Sequence, residues 1–352
     1  MFPEVNVQTR PQPNNHKLYI DVLTAISCIG VVFIHANGIF WSRPSGSVWV
    51  TANIIETVFY YAVPIFFMIS GATLIDYSKR YGTKVYIQKR IKRAGIPFVA
   101  WSIIAWVVLY IAHKLPENAQ SLGGALLSVV NCSHFSIYWF FIPLFACYFS
   151  IPVLNRVTNK KEVFSYLIIY AFLSYSVLPY LNGLLGIAIN PAIQAPVAGG
   201  YIIYLLLGYM LDHHPLRLSA RVVLYVCGAI GLFLHCFMTI TLSSEQGINP
   251  LYKGYLNFPC IFYSTAIFVF VRYTDWNFLL EKQILSRILK AICGCSLGVY
   301  LIHGWFVYYL VPYLGVNTAS LAYRTIGAII IFLCSMACTM VIKKCRILRY
   351  IV

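Results

Sequence analysis

Acidic side chains are scarce in this sequence: Asp and Glu together number 10 among 352 residues, and all charged residues amount to 10%. A soluble domain would carry roughly 25% charge. That shortfall excludes a cytosolic enzyme, a nucleic-acid-binding module and a disordered scaffold, each of which keeps charge in contact with water. Metal and redox motifs are lacking as well. The 11 cysteines include no Cys-x-x-Cys pair, and Cys293-Gly-Cys295 has the wrong spacing for the usual zinc or redox sites. Most of them, among them Cys28, Cys147, Cys227, Cys260, Cys334 and Cys338, sit inside apolar stretches and read as small packing residues. No metal site is expected: Asp212-His213-His214 falls at the edge of an apolar stretch, where a solvated boundary accounts for it. There is no repeat period, no polar stretch long enough for a soluble domain, and no period-two alternation of the kind barrel strands show.

What fills the sequence is hydrophobic residues, 60% of the total, gathered into long runs. About 20 mostly apolar residues cross the hydrocarbon core as a helix. Ten stretches meet that length: 18–40, 50–76, 96–113, 135–154, 163–182, 196–212, 222–242, 251–271, 291–312 and 325–342. The expected fold is an all-α integral membrane protein, a bundle of about ten transmembrane helices. The first run has no small-residue cleavage site behind it and is expected to stay as an uncleaved span. The net charge of +16 rests on 26 Lys and Arg, and their distribution is lopsided. With the amino terminus inside, 22 of the 26 fall in inner segments, and only Arg43, Lys114, Lys253 and Arg324 fall outside. The positive-inside rule then places both termini in the cytoplasm. The basic surplus is a topology signal in contact with anionic lipid, not a nucleic-acid footprint. The organisation expected is a cytoplasmic tail over 1–17, one polytopic domain over 18–345 and a cytoplasmic tail over 346–352.

Ionisable residues inside a span cost roughly 2.5–3.5 kcal/mol on insertion scales, so each is a functional candidate. Asp21 and His35 lie on the first stretch, Glu56 on the second, His235 on the seventh and His303 on the ninth. At 1.5 Å per residue, His35 and Glu56 lie roughly 7 and 9 Å from the outer ends of their spans, similar depths at which they could meet. Asp21, Thr24, Cys28 and His35 fall within about 60° of one helical face, a polar stripe running from the inner surface towards the outer leaflet. Two of these residues have plainer readings. Asp21 suits the dipole of a first helical turn, and His235 suits a hydrogen bond between helices.

The first span, LYIDVLTAISCIGVVFIHANGIF, resembles the opening of the integral-membrane acyltransferase 3 family, whose members begin with an Asp, a few apolar residues and then a His. VPIFFMISGATLIDYSKRYGTKVYIQKRIKRAGIPFVAWS is similar to the family's next block: Pro-x-Phe-Phe, Ser-Gly, then a basic run ending before Pro and Trp-Ser. YWFFIPLFACYFSIPVLN resembles its fourth-span block, and SLGVYLIHGWF its penultimate-helix block. The likeness runs from residue 18 to the carboxyl terminus. One position departs: the Arg that many members carry on the first span, ahead of the His, corresponds to Thr24 here. The pattern stands nearer the stand-alone modifiers of surface polysaccharide than the members fused to an extracytoplasmic domain.

The resemblance implies transfer of an acyl group, usually acetyl, from cytoplasmic acyl-CoA to a hydroxyl of an envelope glycan or lipid-linked sugar, in the inner (cytoplasmic) membrane. No bound cofactor is implied, since acetyl-CoA is a donor substrate, and no nucleic acid. Transfer to a hydroxyl needs a general base, and imidazole suits that role near neutrality. His35 is the expected base, with Glu56 orienting its ring. The phosphates of acyl-CoA call for a basic inner entrance. Lys89, Arg90, Lys92 and Arg93 supply one, with Arg90 and Arg93 three apart on one helical face. Asp21, Thr24, Ser70 of the Ser-Gly pair, Trp139 and His303 complete the expected substrate-binding set. A rival reading is a secondary transporter or flippase of an envelope precursor, with spans broken at Pro64, Pro143, Pro152 and Pro259. It calls for internal repeats, which the sequence does not show. A purely structural membrane protein leaves the polar stripe without a purpose.

Overall fold

A computed structural model describes residues 17–42, 45–186, 190 and 199–352, so the amino-terminal tail ahead of Lys17 and the outer Arg43 lie outside the described residues. Helices dominate, and an isolated bridge between Ser244 and Gly247 is the nearest thing to a strand among the described residues. Among the described residues eight helices are long and apolar enough to cross a membrane: α1 (Leu18–Ala36), α2 (Gly46–Lys79), α3 (Thr83–Ile111), α4 (Ser136–Asn155), α5 (Lys161–Leu185), α7 (Leu218–Leu242), α9 (Gln283–Tyr313) and α10 (Tyr323–Lys344). Two shorter apolar helices, α6 (Ile202–His213) and α8 (Phe258–Tyr273), fall on the sixth and eighth predicted spans. The surface is apolar and parts of the interior are polar, the reverse of a soluble domain. Ile103, Phe149, Val223, Phe233 and Ile330 stand more than half exposed, while Asn53, Glu56, His235 and His303 are fully buried. This is a multi-pass membrane protein.

Prolines shape the spans more than they end them. A proline removes the N–H that would bond the carbonyl four residues back, and its ring presses on that carbonyl. Three of the four π-helical turns among the described residues stop two residues before one: Ile91–Gly95 before Pro97, Leu173–Val177 before Pro179, and Phe306–Leu310 before Pro312. The fourth, Tyr323–Gly327, precedes none. In α2 the helix breaks at Tyr60–Tyr61, where Pro64 leaves the Tyr60 carbonyl without its donor. The segment 77–95, between the second and third predicted spans, is mostly helical: Thr83–Arg90 leads through the first π turn straight into the apolar part of α3. It is the basic side chains, not the backbone, that leave the apolar run.

The two short helices are each one half of a close-packed pair. A Cβ on Gly71 of α2 would lie 2.0 Å from the Leu205 carbonyl oxygen, and one on Gly208 of α6 would lie 2.0 Å from that of Met68. Only glycine lets these backbones meet, and close approach is what holds helices together in lipid. Gly228 and Gly231 do the same for α7 against Ala266 and Pro259 of α8. Pro259 therefore opens α8 at its first turn and is packed on, not a mid-span break. At the centre stands α1, which packs against α2, α8, α9 and α10.

Polar contacts gather at two opposite ends. At one, Lys17 meets Asp212 at 2.5 Å, His213 bridges Asp212 (3.2 Å) and Asp76 (3.0 Å), and Lys79 pairs with Asp76 at 2.6 Å. Arg272 donates to the Asp212 carbonyl at 2.8 Å there. The carboxyl-terminal turn returns to α3, where Trp101 Nε1–H donates to the Ile351 carbonyl at 2.8 Å. Just past α6, burial and the neighbouring Lys161, His213 and Arg272 hold the His214 imidazole below its ordinary pKa. At the other end, Arg324 reaches α2 and Lys253 reaches Asn53. We call these the basic end and the histidine end.

Candidate active site

A cavity of about 480 Å³ opens at the basic end between α1, α2, α3, α4 and α9. Three guanidinium groups line its mouth: Arg80, Arg90 and Arg93. The geometry follows from the local chain. Arg90 closes the helix Thr83–Arg90 and Arg93 sits within the π turn that follows, so both face inward at the lip. Arg90 lies over the rings of Tyr86 (5.8 Å) and Tyr148 (5.5 Å), and its Nε is buried with no hydrogen-bond partner. A buried donor without an acceptor favours an anion in the cavity. Arg80 donates to the Thr73 carbonyl. Arg80 escapes sequence inspection because it stands nine residues ahead of Lys89, where the basic cluster begins.

Deeper in, the wall carries Thr24, Ser70 and Ser296, and ends at Val31 and Tyr300. Thr24 donates its hydroxyl to the Ile20 carbonyl at 2.8 Å and Ser70 to Phe66 at 3.0 Å. The Ser70-Gly71 pair thus divides its work: Ser70 faces the cavity while Gly71 lets α6 close behind it. The inner end of the cavity is one helical turn from two histidines. The Val31 carbonyl bonds His35 Nδ1 at 2.8 Å, and the Tyr300 ring is 5.9 Å from that of His303.

His35 and His303 are partners, 3.1 Å apart from Nδ1 of the first to Nε2 of the second. Their protons can be assigned from the acceptors around them. His303 Nδ1 faces the Val299 carbonyl at 2.9 Å, so it carries the proton and its Nε2 offers a lone pair. His35 Nδ1 then faces two acceptors, Val31 O and His303 Nε2, and must itself carry a proton. The unprotonated nitrogen of His35 is therefore Nε2, which makes no hydrogen bond among the described residues. His35 is partly accessible, whereas His303 is fully buried. One ring offers a base; the other sets its tautomer.

Glu56, expected to orient His35, makes no hydrogen bond to it. The carboxylate is fully buried and accepts from Asn37 Nδ2 at 3.5 Å. Asn37 stands two residues beyond His35, which turns it roughly 200° around α1. Glu56 therefore packs against the opposite side of α1 from the imidazole, at matching depth but at the wrong azimuth. It belongs to a second cluster. Lys253, from the segment ahead of α8, donates to Asn53 at 3.2 Å and Thr57 at 3.5 Å, and lies over the Phe40 ring at 4.3 Å. Beside it His235 meets the Tyr60 ring at 4.7 Å, with both ring nitrogens buried and unbonded.

The remaining expected residues are placed as follows. Apart from Thr24, the stripe on α1 is a helix–helix seam. The Asp21 carbonyl accepts from Cys293 Sγ (3.3 Å), Cys28 Sγ meets the Ser296 carbonyl (3.9 Å), and His35 meets His303, all on α9. Thr24 and Val31, on the adjoining face, line the cavity instead. Lys89 stands outside it, 3.8 Å above the Tyr81 ring, which itself lines the wall. Trp139 packs on Tyr255 (5.6 Å) and Tyr201 (6.1 Å), apart from the cavity. Among the described residues no group of three or more His, Cys, Asp or Glu is arranged to hold a metal ion.

No curated protein and no solved structure matches the chain. The family model of the acyltransferase domain matches residues 17–341, from the first residues of α1 almost to the end of α10. With that match on a multi-span helical protein, the chain belongs to the acyltransferase 3 family and is a membrane acyltransferase.

Proposed function

We propose that the protein moves an acyl group, acetyl in the first instance, from acyl-CoA to a hydroxyl of an envelope glycan or lipid-linked sugar, with His35 as general base. The observation that carries this reading is the cavity itself: three arginines at its mouth and a partly accessible imidazole one turn beyond its far end. Guanidinium groups bind phosphate through paired, charge-assisted hydrogen bonds, so the mouth suits the phosphates of CoA. The slender pantetheine arm fits the mainly apolar wall and delivers the thioester towards His35.

The acceptor hydroxyl approaches His35 Nε2 from the histidine end. Nε2 takes the hydroxyl proton as the oxygen attacks the thioester carbonyl; the C–O bond forms, the C–S bond breaks, and the proton passes to the departing sulfur. His303 holds the ring throughout, because its Nε2 accepts from His35 Nδ1 and strengthens that contact when His35 carries the second proton. In this reading His303 takes the orienting role first given to Glu56. Following the positive-inside distribution, the arginine mouth faces the cytoplasm and the histidine end faces outward. The test is release of free CoA thiol by the protein in lipid nanodiscs, given acetyl-CoA and envelope glycan. No acceptor-dependent thiol release would overturn the reading.

A further inference from the structure

A second site lies at the histidine end, on the stretch of α9 past His303. The π turns Phe306–Leu310 of α9 and Tyr323–Gly327 of α10 leave an apolar groove of about 460 Å³ between the two helices. Its walls include Leu310, Leu314, Ile326 and Ile330, each more than a third exposed, so the groove is open sideways to the bilayer. At Ser320 it adjoins a polar pocket of about 380 Å³ that holds Arg324, Thr51 and Asn317.

Arg324 is the unusual group. It is 2% exposed, and its guanidinium donates only to neutral oxygens, the Val48 carbonyl at 3.3 Å and the Thr51 hydroxyl at 2.9 Å. Nε is buried with no partner, and no carboxylate pairs with it among the described residues. A buried cation without a counter-ion is costly, and here it sits where a polar pocket meets an apolar groove. An anion with an apolar tail satisfies both halves. Phosphate is an anion that a planar guanidinium binds through paired hydrogen bonds.

We propose that this groove binds the acceptor as a lipid phosphate, with the tail between α9 and α10 and the phosphate on Arg324. The inference rests on the acyltransferase reading for its choice of occupant. Phe306 at the head of the groove is one turn beyond His303, so a glycan carried on the phosphate is tethered beside the imidazole pair. Tethering converts a dilute encounter into a local one and raises the effective concentration of the acceptor hydroxyl.

The probe is farnesyl phosphate bearing a photoreactive diazirine in its tail, applied to the full chain in phosphatidylcholine nanodiscs. Cross-links are expected in peptides spanning 306–316 and 320–334. Unlabelled farnesyl phosphate should displace them, and equal concentrations of farnesol or phosphatidylglycerol should not. Arg324→Gln should cut labelling by about tenfold, with Arg324→Lys in between. Ile330→Trp, which fills the groove and leaves the charge alone, should also reduce it, and decides the matter if the arginine variants fail to accumulate. Labelling that survives both Arg324→Gln and Ile330→Trp, or that farnesol or phosphatidylglycerol displaces equally well, overturns the proposal. Titration of the wild type with acetyl-CoA separates the two readings. Donor binding without lipid labelling removes only the lipid site; lipid labelling without donor binding removes the acyltransferase assignment of the cavity.

Discussion

Two buried polar clusters occupy the histidine end, and they differ in what they leave free. Around Glu56, a carboxylate, an ammonium group and the amides of Asn37 and Asn53 lie together, with Glu56 and Lys253 both nearly inaccessible and the unbonded Glu56 Oε1 sealed inside. Around His35, two neutral rings share one hydrogen bond, and the nitrogen left over is on the partly accessible ring beside the cavity. Both clusters carry the insertion cost that marks an intramembrane ionisable residue as functional. The difference teaches that cost alone does not identify chemistry. A group sealed away from substrate braces the fold, and a group that keeps an unspent lone pair next to a cavity can react.

The contrast is broken most directly at His35. Loss of a general base typically removes 10²–10⁴ in rate, so His35→Ala should bring acceptor-dependent thiol release to background while membrane abundance stays normal. Transfer at a near-normal rate would erase the distinction between the clusters. The opposite behaviour is expected of the other cluster. Glu56→Gln removes the acidic group whose field acts on the buried Lys253 ammonium and should destabilise the detergent-solubilised protein by about 1–3 kcal/mol, while the rate per folded molecule changes only a few-fold. Adding Lys253→Met should recover much of that loss, a coupling that thermal unfolding of the single and double variants measures. A large fall in rate for Glu56→Gln at unchanged stability would return the carboxylate to the catalytic set.

Smaller effects sharpen the comparison. His303→Ala removes the acceptor that holds His35 Nδ1 and should cost about 10² in rate through misplacement of the ring. His303→Gln keeps an acceptor oxygen and should cost less; equal losses in both variants would argue against a purely orienting role. At the mouth, Arg90→Ala and Arg93→Ala should each raise the apparent KM for acetyl-CoA by about tenfold, since charge-assisted hydrogen bonds contribute roughly 1.5–3 kcal/mol. The acceptor requirement should not move. Unchanged donor dependence in both would leave these arginines as a topology signal only.

Much of the protein could be read from its residues. Membrane residence, the positions of the apolar helices and the segregation of basic residues follow from transfer energies that accumulate residue by residue, with no knowledge of neighbours. The arginine pair and the first-span histidine could be picked out as candidates because each sits within a local pattern of a recognisable family. Span length was less legible at α6 and α8, where glycine pairs hold short helices against long partners. What the tertiary structure alone decided is which polar group meets which. His35 and His303 are 268 positions apart, and Lys253 and Asn53 are 200 apart. Depth in the bilayer can be estimated from a sequence, because rise per residue is constant. Azimuth cannot, because it depends on how each helix is rotated against its neighbours. His35 and Asn37 lie at nearly one depth on α1, yet the turn between them gives one the imidazole of α9 and the other the carboxylate of α2.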